Sequence, residues 1–217
     1  MKYIKQLIEY QEKNPELCPF SSAVMNYLAK KYFPDNNIKI LDAGIGTGPR
    51  IIPLIKQGYN HVYGLDKEAV YFPKLKEMGM ENGIRFDLNK DHWTDLQDRY
   101  ICSFDVIISM DVIEHIIHYE NYMKTIHALL KKGGLFICTT PNIQKQWLHN
   151  VPFYDDPTHV KPYTKRGLCR LFSMFDFEVI ELKSFGTFPP LSMLGLYRLH
   201  PSLMFTGQSI ICIGRKK

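Results

Sequence analysis

The chain has 217 residues, 45% of them apolar and 23% charged, which suits one domain with a sizeable core. Its net charge of +5 gives no strong nucleic-acid footprint, and no run of about 18 apolar residues is present to form a membrane-spanning helix. Cys18, Cys102, Cys138, Cys169 and Cys212 are scattered and odd in number and form no C-x-x-C, so they read as packing thiols of a reducing, cytoplasmic protein.

Met-Lys-Tyr-Ile-Lys-Gln at the start lacks the apolar stretch of a secretory leader. Ile4, Leu7 and Ile8, then Val24, Met25, Leu28 and Tyr32, recur at helical spacing, with a break near Asn14-Pro15. They predict a helical prefix over 1–33, too short for a core of its own and expected to cover the site of a single domain whose main body is 38–217. Pro34-Asp-Asn-Asn is a turn signal. A strand is expected at 38–42, then a helix through Ile51, Ile52, Leu54 and Ile55 that stops at Gly58. Strand 61–66, a helical stretch to Met78, a short strand 84–87 and a strand 104–109 follow. A helix over 119–130 ends at Gly133-Gly134, and strand 135–139, helix 164–175 and strands 178–185 and 209–215 complete the chain. Strand alternating with helix predicts an α/β fold. Its sheet is doubly wound, seven-stranded and mostly parallel, with helices on both faces.

The stretch Ile38-Lys-Ile-Leu-Asp42-Ala-Gly44-Ile-Gly46-Thr-Gly48 carries the most information. An alternating apolar run ends in a carboxylate and then in three glycines spaced G-x-G-x-G. Glycine lets the backbone turn sharply and lets a ligand approach it closely. Pro49 is a good first residue for the helix that follows. A dinucleotide fingerprint would be G-x-G-x-x-G; here Pro49 takes the place of its third glycine and Gly48 comes one residue early. Asp42, just ahead of the glycines, suits a ligand carrying an ammonium group better than one carrying pyrophosphate.

This pattern resembles the class I S-adenosylmethionine (SAM) methyltransferases, which implies a Rossmann-like fold over about 37–185 plus the last strand. In that family the acidic residue ending the second strand holds the ribose hydroxyls, a role that falls on Asp66. The acid after the next strand, here Asp87, binds the adenine amino group. Asp42, Gly44, Gly46 and Gly48 then lie along the methionine part, and Met110 flanks the ligand. SAM, with S-adenosylhomocysteine (SAH) as product, is the implied cofactor. The plainer reading of Asp66 and Asp87 is as helix caps or turn residues.

The segment Phe104-Asp-Val-Ile-Ile-Ser-Met110-Asp111-Val-Ile-Glu114-His115-Ile resembles one in ubiquinone-type O-methyltransferases. It also resembles one in small-RNA 3′-terminal 2′-O-methyltransferases. On a helical turn Asp111, Glu114 and His115 would share one face. Two carboxylates and an imidazole make most of a site for a hard cation. In the small-RNA enzymes an acidic-x-x-Glu-His run binds Mg²⁺ with a downstream histidine, for which His159 is the counterpart. Three readings stay open. Asp111, Glu114, His115 and His159 hold Mg²⁺ or another divalent cation; or His115, with Glu114 and His159, works without metal as a base; or the run has no chemical role.

The segment Asp155-Asp-Pro-Thr-His159-Val-Lys-Pro-Tyr163-Thr-Lys-Arg-Gly-Leu resembles the substrate-side loop of bacterial methyltransferases of glycans and small metabolites. It would carry Tyr154, His159 and Tyr163 to the carboxyl edge of the sheet, where doubly wound folds bind ligands. Lys161, Lys165, Arg166 and Arg170 would meet an anionic substrate or form a solvated helix face. Residues 188–205 are unusually apolar for a connection, as a core-packed helix, a homodimer contact or a hydrophobic acceptor pocket. The sequence therefore points to a SAM-dependent O-methyltransferase acting on a small-molecule, sugar or glycan hydroxyl. A metal-assisted RNA 2′-O-methyltransferase and a non-catalytic SAM-binding regulator are the alternatives.

Overall fold

The computed structural model describes residues 19–148, 153–185 and 209–217. Seven strands form one sheet: β1 (Lys39–Ala43), β2 (His61–Asp66), β3 (Asn82–Arg85), β4 (Phe104–Met110), β5 (Leu130–Pro141), β6 (Phe177–Phe185) and β7 (Ser209–Lys216). Their spatial order is β3-β2-β1-β4-β5-β7-β6. The first five in that order pair in parallel, and β7 runs antiparallel to both β5 and β6. The expected sheet is present, with its antiparallel strand inserted next to β5.

Among the described residues six α-helices pack on it: α1 (Pro19–Tyr32), α2 (Ile51–Lys56), α3 (Phe72–Glu77), α4 (Trp93–Tyr100), α5 (Tyr119–Leu129) and α6 (Lys165–Met174). The period-two alternation of the strands sorts their side chains between two faces. On one face Ile40, Val106, Ile108, Leu135, Ile137, Ile211 and Ile213 meet Val24, Met25 and Leu28 of α1 and Ile51 and Leu54 of α2. On the other, Leu41, Ile107, Phe136, Cys138, Ile210 and Cys212 meet Leu96 of α4, Tyr122, Met123 and Ile126 of α5, and Leu168 and Phe172 of α6. Burying both faces is what a parallel sheet requires.

Thr164 caps α6, its hydroxyl accepting from the Gly167 N–H at 3.0 Å. At the end of α1, Lys31 and Tyr32 both bond the Glu181 carboxylate of β6, which ties the helix across the sheet. Residues 1–18, and with them the first part of the expected prefix, lie outside the described residues, as does the apolar segment 188–205. Among the described residues no helix is long and apolar enough to cross a membrane. Cys102, Cys138, Cys169 and Cys212 are free thiols.

The strand order places the site. The chain builds outward from β1 to β3 and then returns to β4 on the other side of β1. A crevice opens at such a reversal, above the carboxyl ends of β1 and β4.

Candidate active site

The glycine turn lies at that crevice. Gly44, Gly46 and Gly48 all have positive φ, at 86°, 52° and 81°, a region that L side chains rarely adopt. Their surroundings differ. A Cβ on Gly44 would stand 2.5 Å from Val112 Cγ2, and one on Gly48 2.5 Å from Leu75 Cδ2, whereas one on Gly46 would meet nothing within 4 Å. Gly44 and Gly48 are thus packing requirements, and Gly46 leaves its surface open. The Gly46 N–H donates to Asp66 Oδ2 at 2.9 Å, and the Glu68 N–H donates to Asp66 Oδ1 at 2.9 Å. Asp66 therefore braces the turn from the end of β2.

A cleft of about 530 Å³ runs from this turn, lined by Gly44, Asp66, Phe86, Asp87, Val112 and His115 among others. Asp66 and Asp87, expected from the sequence, face one space with Gly44. Asp87 Oδ1 also accepts from the Asn89 N–H at 2.9 Å. The plain turn role and the lining role thus coexist in both acids. Met110 is 4% exposed and packs in the core at the end of β4, outside the cleft's lining.

Asp42 is fully buried and outside the cleft's lining, and among the described residues neither of its carboxylate oxygens has a hydrogen-bond partner. Burial pushes its carboxyl up to about 7, opposed by the Arg50 guanidinium and helped by Asp66. A buried carboxylate without a partner is costly, and no donor among the described residues meets this one.

The segment after β4 is not one helical turn. Asp111 has φ 56°, a strained value for a non-glycine residue, held by its N–H bond to the Thr139 carbonyl at 3.0 Å and by the Thr139 hydroxyl on Oδ1 at 3.2 Å. Only Ile113–His115 form a short 3₁₀ turn. The left-handed residue swings Asp111 away from the expected shared face and toward Arg50, whose Nη2 lies 3.4 Å from Oδ2. Glu114, His115 and His159 do come together, with one ligand-capable atom of each within 4.8 Å of the others. Asp111, the fourth residue of the expected cation set, is not in that cluster.

Both imidazoles are oriented by carbonyls. His159 Nδ1 lies 2.7 Å from the Phe153 carbonyl, and His115 Nδ1 lies 3.2 Å from the Thr158 carbonyl and 2.9 Å from its hydroxyl. A carbonyl only accepts, so in each ring Nδ1 is the donor and Nε2 points elsewhere; that of His159 lies 3.7 Å from Asp156 Oδ2. The rings are 4.7 Å apart, and His159 also packs 4.4 Å from Phe153. Burial, with His159 nearby and against the Thr158 carbonyl, holds His115 below its usual pKa, which favours its neutral form.

Glu114 is 1% exposed, and among the described residues the Thr140 hydroxyl is the side-chain donor that acts on its carboxylate, short of a well-formed hydrogen bond. Burial first, and Asp111 second, push its carboxyl up to about 8. Its backbone carbonyl accepts from the Val160 N–H at 2.8 Å and the Lys161 N–H at 3.2 Å, which docks the loop bearing His159 onto the turn. Tyr163 adds a buried hydroxyl with no hydrogen-bond partner among the described residues.

The sequence reading overlooked three contributors. Arg50 stands where the glycine turn enters α2, and a cation at that place was a readable signal. Asn89 clasps the His115 carbonyl and the Ile117 N–H, at 2.9 and 2.8 Å, with no pattern to announce it. Thr158 orients His115 from within a loop whose polar composition concealed it.

A family model described as a methyltransferase domain matches residues 10–182. The chain belongs to that methyltransferase family. Its sequence is 31% identical, over half of its length, to the ubiquinone biosynthesis O-methyltransferase of Ruegeria pomeroyi, and it spans 43% of that enzyme. Among solved structures, a SAM-dependent methyltransferase from Archaeoglobus fulgidus matches with a TM-score of 0.67 at 18% identity, covering 97% of this chain and 99% of its own. The 1,6-didemethyltoxoflavin-N1-methyltransferase of Burkholderia thailandensis, with SAH bound, gives 0.61 at 15% identity, covering 99% and 87%. At these identities the structures establish the fold, and with the family match the chain stands among the class I SAM-dependent methyltransferases.

Proposed function

We propose that this methyltransferase binds SAM in the cleft and transfers its methyl group to the hydroxyl of a small-molecule or glycan acceptor. The observation that supports this most is that His115, a neutral imidazole with a free Nε2, lines the same cleft as Gly44, Asp66 and Asp87. The family's cofactor and a proton acceptor thereby share one space.

The residues present fit that cofactor. Gly46 leaves open surface along the turn, and Asp66 and Asp87 line the cleft as acceptors for ribose and adenine; the buried Asp42 lies outside that lining, two residues before Gly44, as the carboxylate for an ammonium group at the turn. When bound, SAM supplies a methyl group on a sulfonium that is already a good leaving group. The protein's share is alignment and proton removal. His115 Nε2 takes the acceptor's hydroxyl proton while Thr158 holds the ring. The family relatives leave the acceptor atom open, since one named above methylates oxygen and another nitrogen.

A second reading rests on Glu114, His115 and His159. Two imidazoles whose Nδ1 atoms are each held by a backbone carbonyl, and a buried carboxylate beside them, are the donor types of a divalent cation site. These three residues would hold the cation, which would acidify a hydroxyl bound to it. Chelation separates the two readings. Turnover that survives removal of divalent ions supports the free base, and turnover lost and then restored by added Mn²⁺ or Mg²⁺ supports the cation. Loss of turnover in His115→Ala is expected under both, and full activity there would overturn both.

A further inference from the structure

His115 sits on a turn with little structure of its own. Only Ile113–His115 are helical, and the chain leaves the turn extended at Ile116. Inside the turn the His115 N–H reaches the Val112 carbonyl at 2.9 Å and the Ile116 N–H reaches the Ile113 carbonyl at 3.2 Å. A single 3₁₀ turn has poor hydrogen-bond geometry and does not hold itself in place. Thr158 orients the ring from the loop ahead of α6, but a ring is aimed only as well as its backbone is fixed.

Asn89 fixes that backbone. It comes from another wall of the cleft, the connection between β3 and α4. Its Nδ2 donates to the His115 carbonyl at 2.9 Å, and its Oδ1 accepts from the Ile117 N–H at 2.8 Å. The carbonyl only accepts and the N–H only donates, so the carboxamide has one orientation here. It takes the part that a neighbouring peptide plays in a strand pair. At its other end Asn89 is held by the Asp87 carboxylate, whose Oδ1 accepts from the Asn89 N–H at 2.9 Å. The Asp87 carbonyl accepts from the N–H groups of Lys90 and Asp91 at 3.1 and 3.0 Å, which closes the bend that carries Asn89. Asp87, Asn89, His115 and Ile117 all line the cleft.

We infer that Asn89 is a positioning residue for His115, tying the backbone of the base to the turn that presents Asp87, so that ligand contact at Asp87 and placement of the base are linked. This rests on the cofactor reading above and sets the base against the adenosine end of the cleft. Asn89 acts through the His115 backbone, and Thr158 acts through the ring.

The test is NMR of the full chain with ¹⁵N-labelled histidine, with SAH as the probe and His115→Ala to identify the His115 ring signals. In wild type these signals should shift on adding SAH. In Asn89→Ala they should be displaced already in the free protein. SAH should still bind that variant within about 10-fold of wild type by calorimetry, without bringing the His115 signals to their wild-type bound positions. The rings of His61 and His127, away from the turn, should keep their wild-type positions. Asn89→Asp keeps an acceptor for the Ile117 N–H and loses the donor to the His115 carbonyl, so it should show a smaller displacement of the same signals. Amide exchange in wild type needs no variant: SAH should slow exchange of the Ile117 N–H about 10-fold. His115 signals in Asn89→Ala that match wild type, with and without SAH, would overturn the assignment. So would displacement of all the histidine signals alike, which marks a general loosening, or an Ile117 exchange rate indifferent to SAH. If wild type does not bind SAH, the cofactor reading fails, and the His115 signals of the free proteins still decide whether Asn89 positions the base.

Discussion

Asp42→Asn separates the cost of the site from its use. In the folded protein the Asp42 carboxyl is pushed up to about 7 by burial. In the unfolded chain an aspartate titrates near about 3.9. Between about pH 4 and 7 the folded state therefore holds a proton that the unfolded state has lost. Stability falls as pH rises through that window, and the loss is complete above about pH 7. A gap of about three pH units corresponds to about 4 kcal/mol. Asparagine keeps the shape and cannot ionise. It brings its own unpartnered amide, a cost of about 1–3 kcal/mol at every pH. The informative quantity is thus how the difference between the two proteins changes with pH. Urea unfolding at pH 5, 6, 7 and 8 should show the variant gaining about 2–4 kcal/mol on wild type between the lowest and highest pH. Glu114, raised for the same reason, is common to both proteins and drops out. The ligand reverses the balance. SAH should bind wild type more tightly as pH rises from 6 to 8, because its ammonium favours the ionised carboxylate, and should bind the variant weakly at every pH. A stability difference that stays constant with pH would refute the reasoning.

Gly44→Val should lower the thermal midpoint sharply, because it adds positive-φ strain to a 2.5 Å clash with Val112, while Gly46→Ala should cost only about 1 kcal/mol of stability. Denaturant midpoints check the contrast. Asp66→Ala should cost about 1–3 kcal/mol of SAH affinity by calorimetry, with the Gly46 and Glu68 N–H groups losing their acceptor. His115→Ala should reduce turnover about 10²- to 10⁴-fold in steady-state kinetics, and His159→Ala should be comparably severe only if chelator also abolishes wild-type turnover.

The parallel half of the sheet was legible because its strands are apolar, short and separated by clear turn signals. β2 and the start of α5 fall where the alternation of Val62, Tyr63 and Leu65 and the periodic Tyr122, Met123 and Ile126 put them. Helix α4 was not legible. Its apolar stripe is only Trp93, Leu96 and Tyr100, of which Leu96 alone is buried, among charged and polar neighbours. Strand β5 begins at Leu130, ahead of the expected start, because one pair, Leu130 with Phe104, precedes an irregularity at Gly133-Gly134 and the regular ladder with β4 resumes at Leu135. At the site, Asp42, Asp66 and Asp87 were marked by their places at strand ends. Asp111 was misplaced because sequence spacing assumes an unbroken turn, and its left-handed backbone depends on Thr139, a residue distant in sequence. The approach of His159 to His115 was legible only by resemblance, since it depends on how the loop docks onto the Glu114 carbonyl.

The central claim is tested most directly by supplying SAM labelled in its methyl group together with a panel of phenolic, sugar and glycan hydroxyl compounds, and following the label by mass spectrometry and NMR. The account predicts one labelled methyl per acceptor, bound to oxygen, with SAH released in equal amount and the transfer strongly reduced in His115→Ala. Label appearing on nitrogen, or SAH-competent protein that transfers nothing to any hydroxyl, would contradict it.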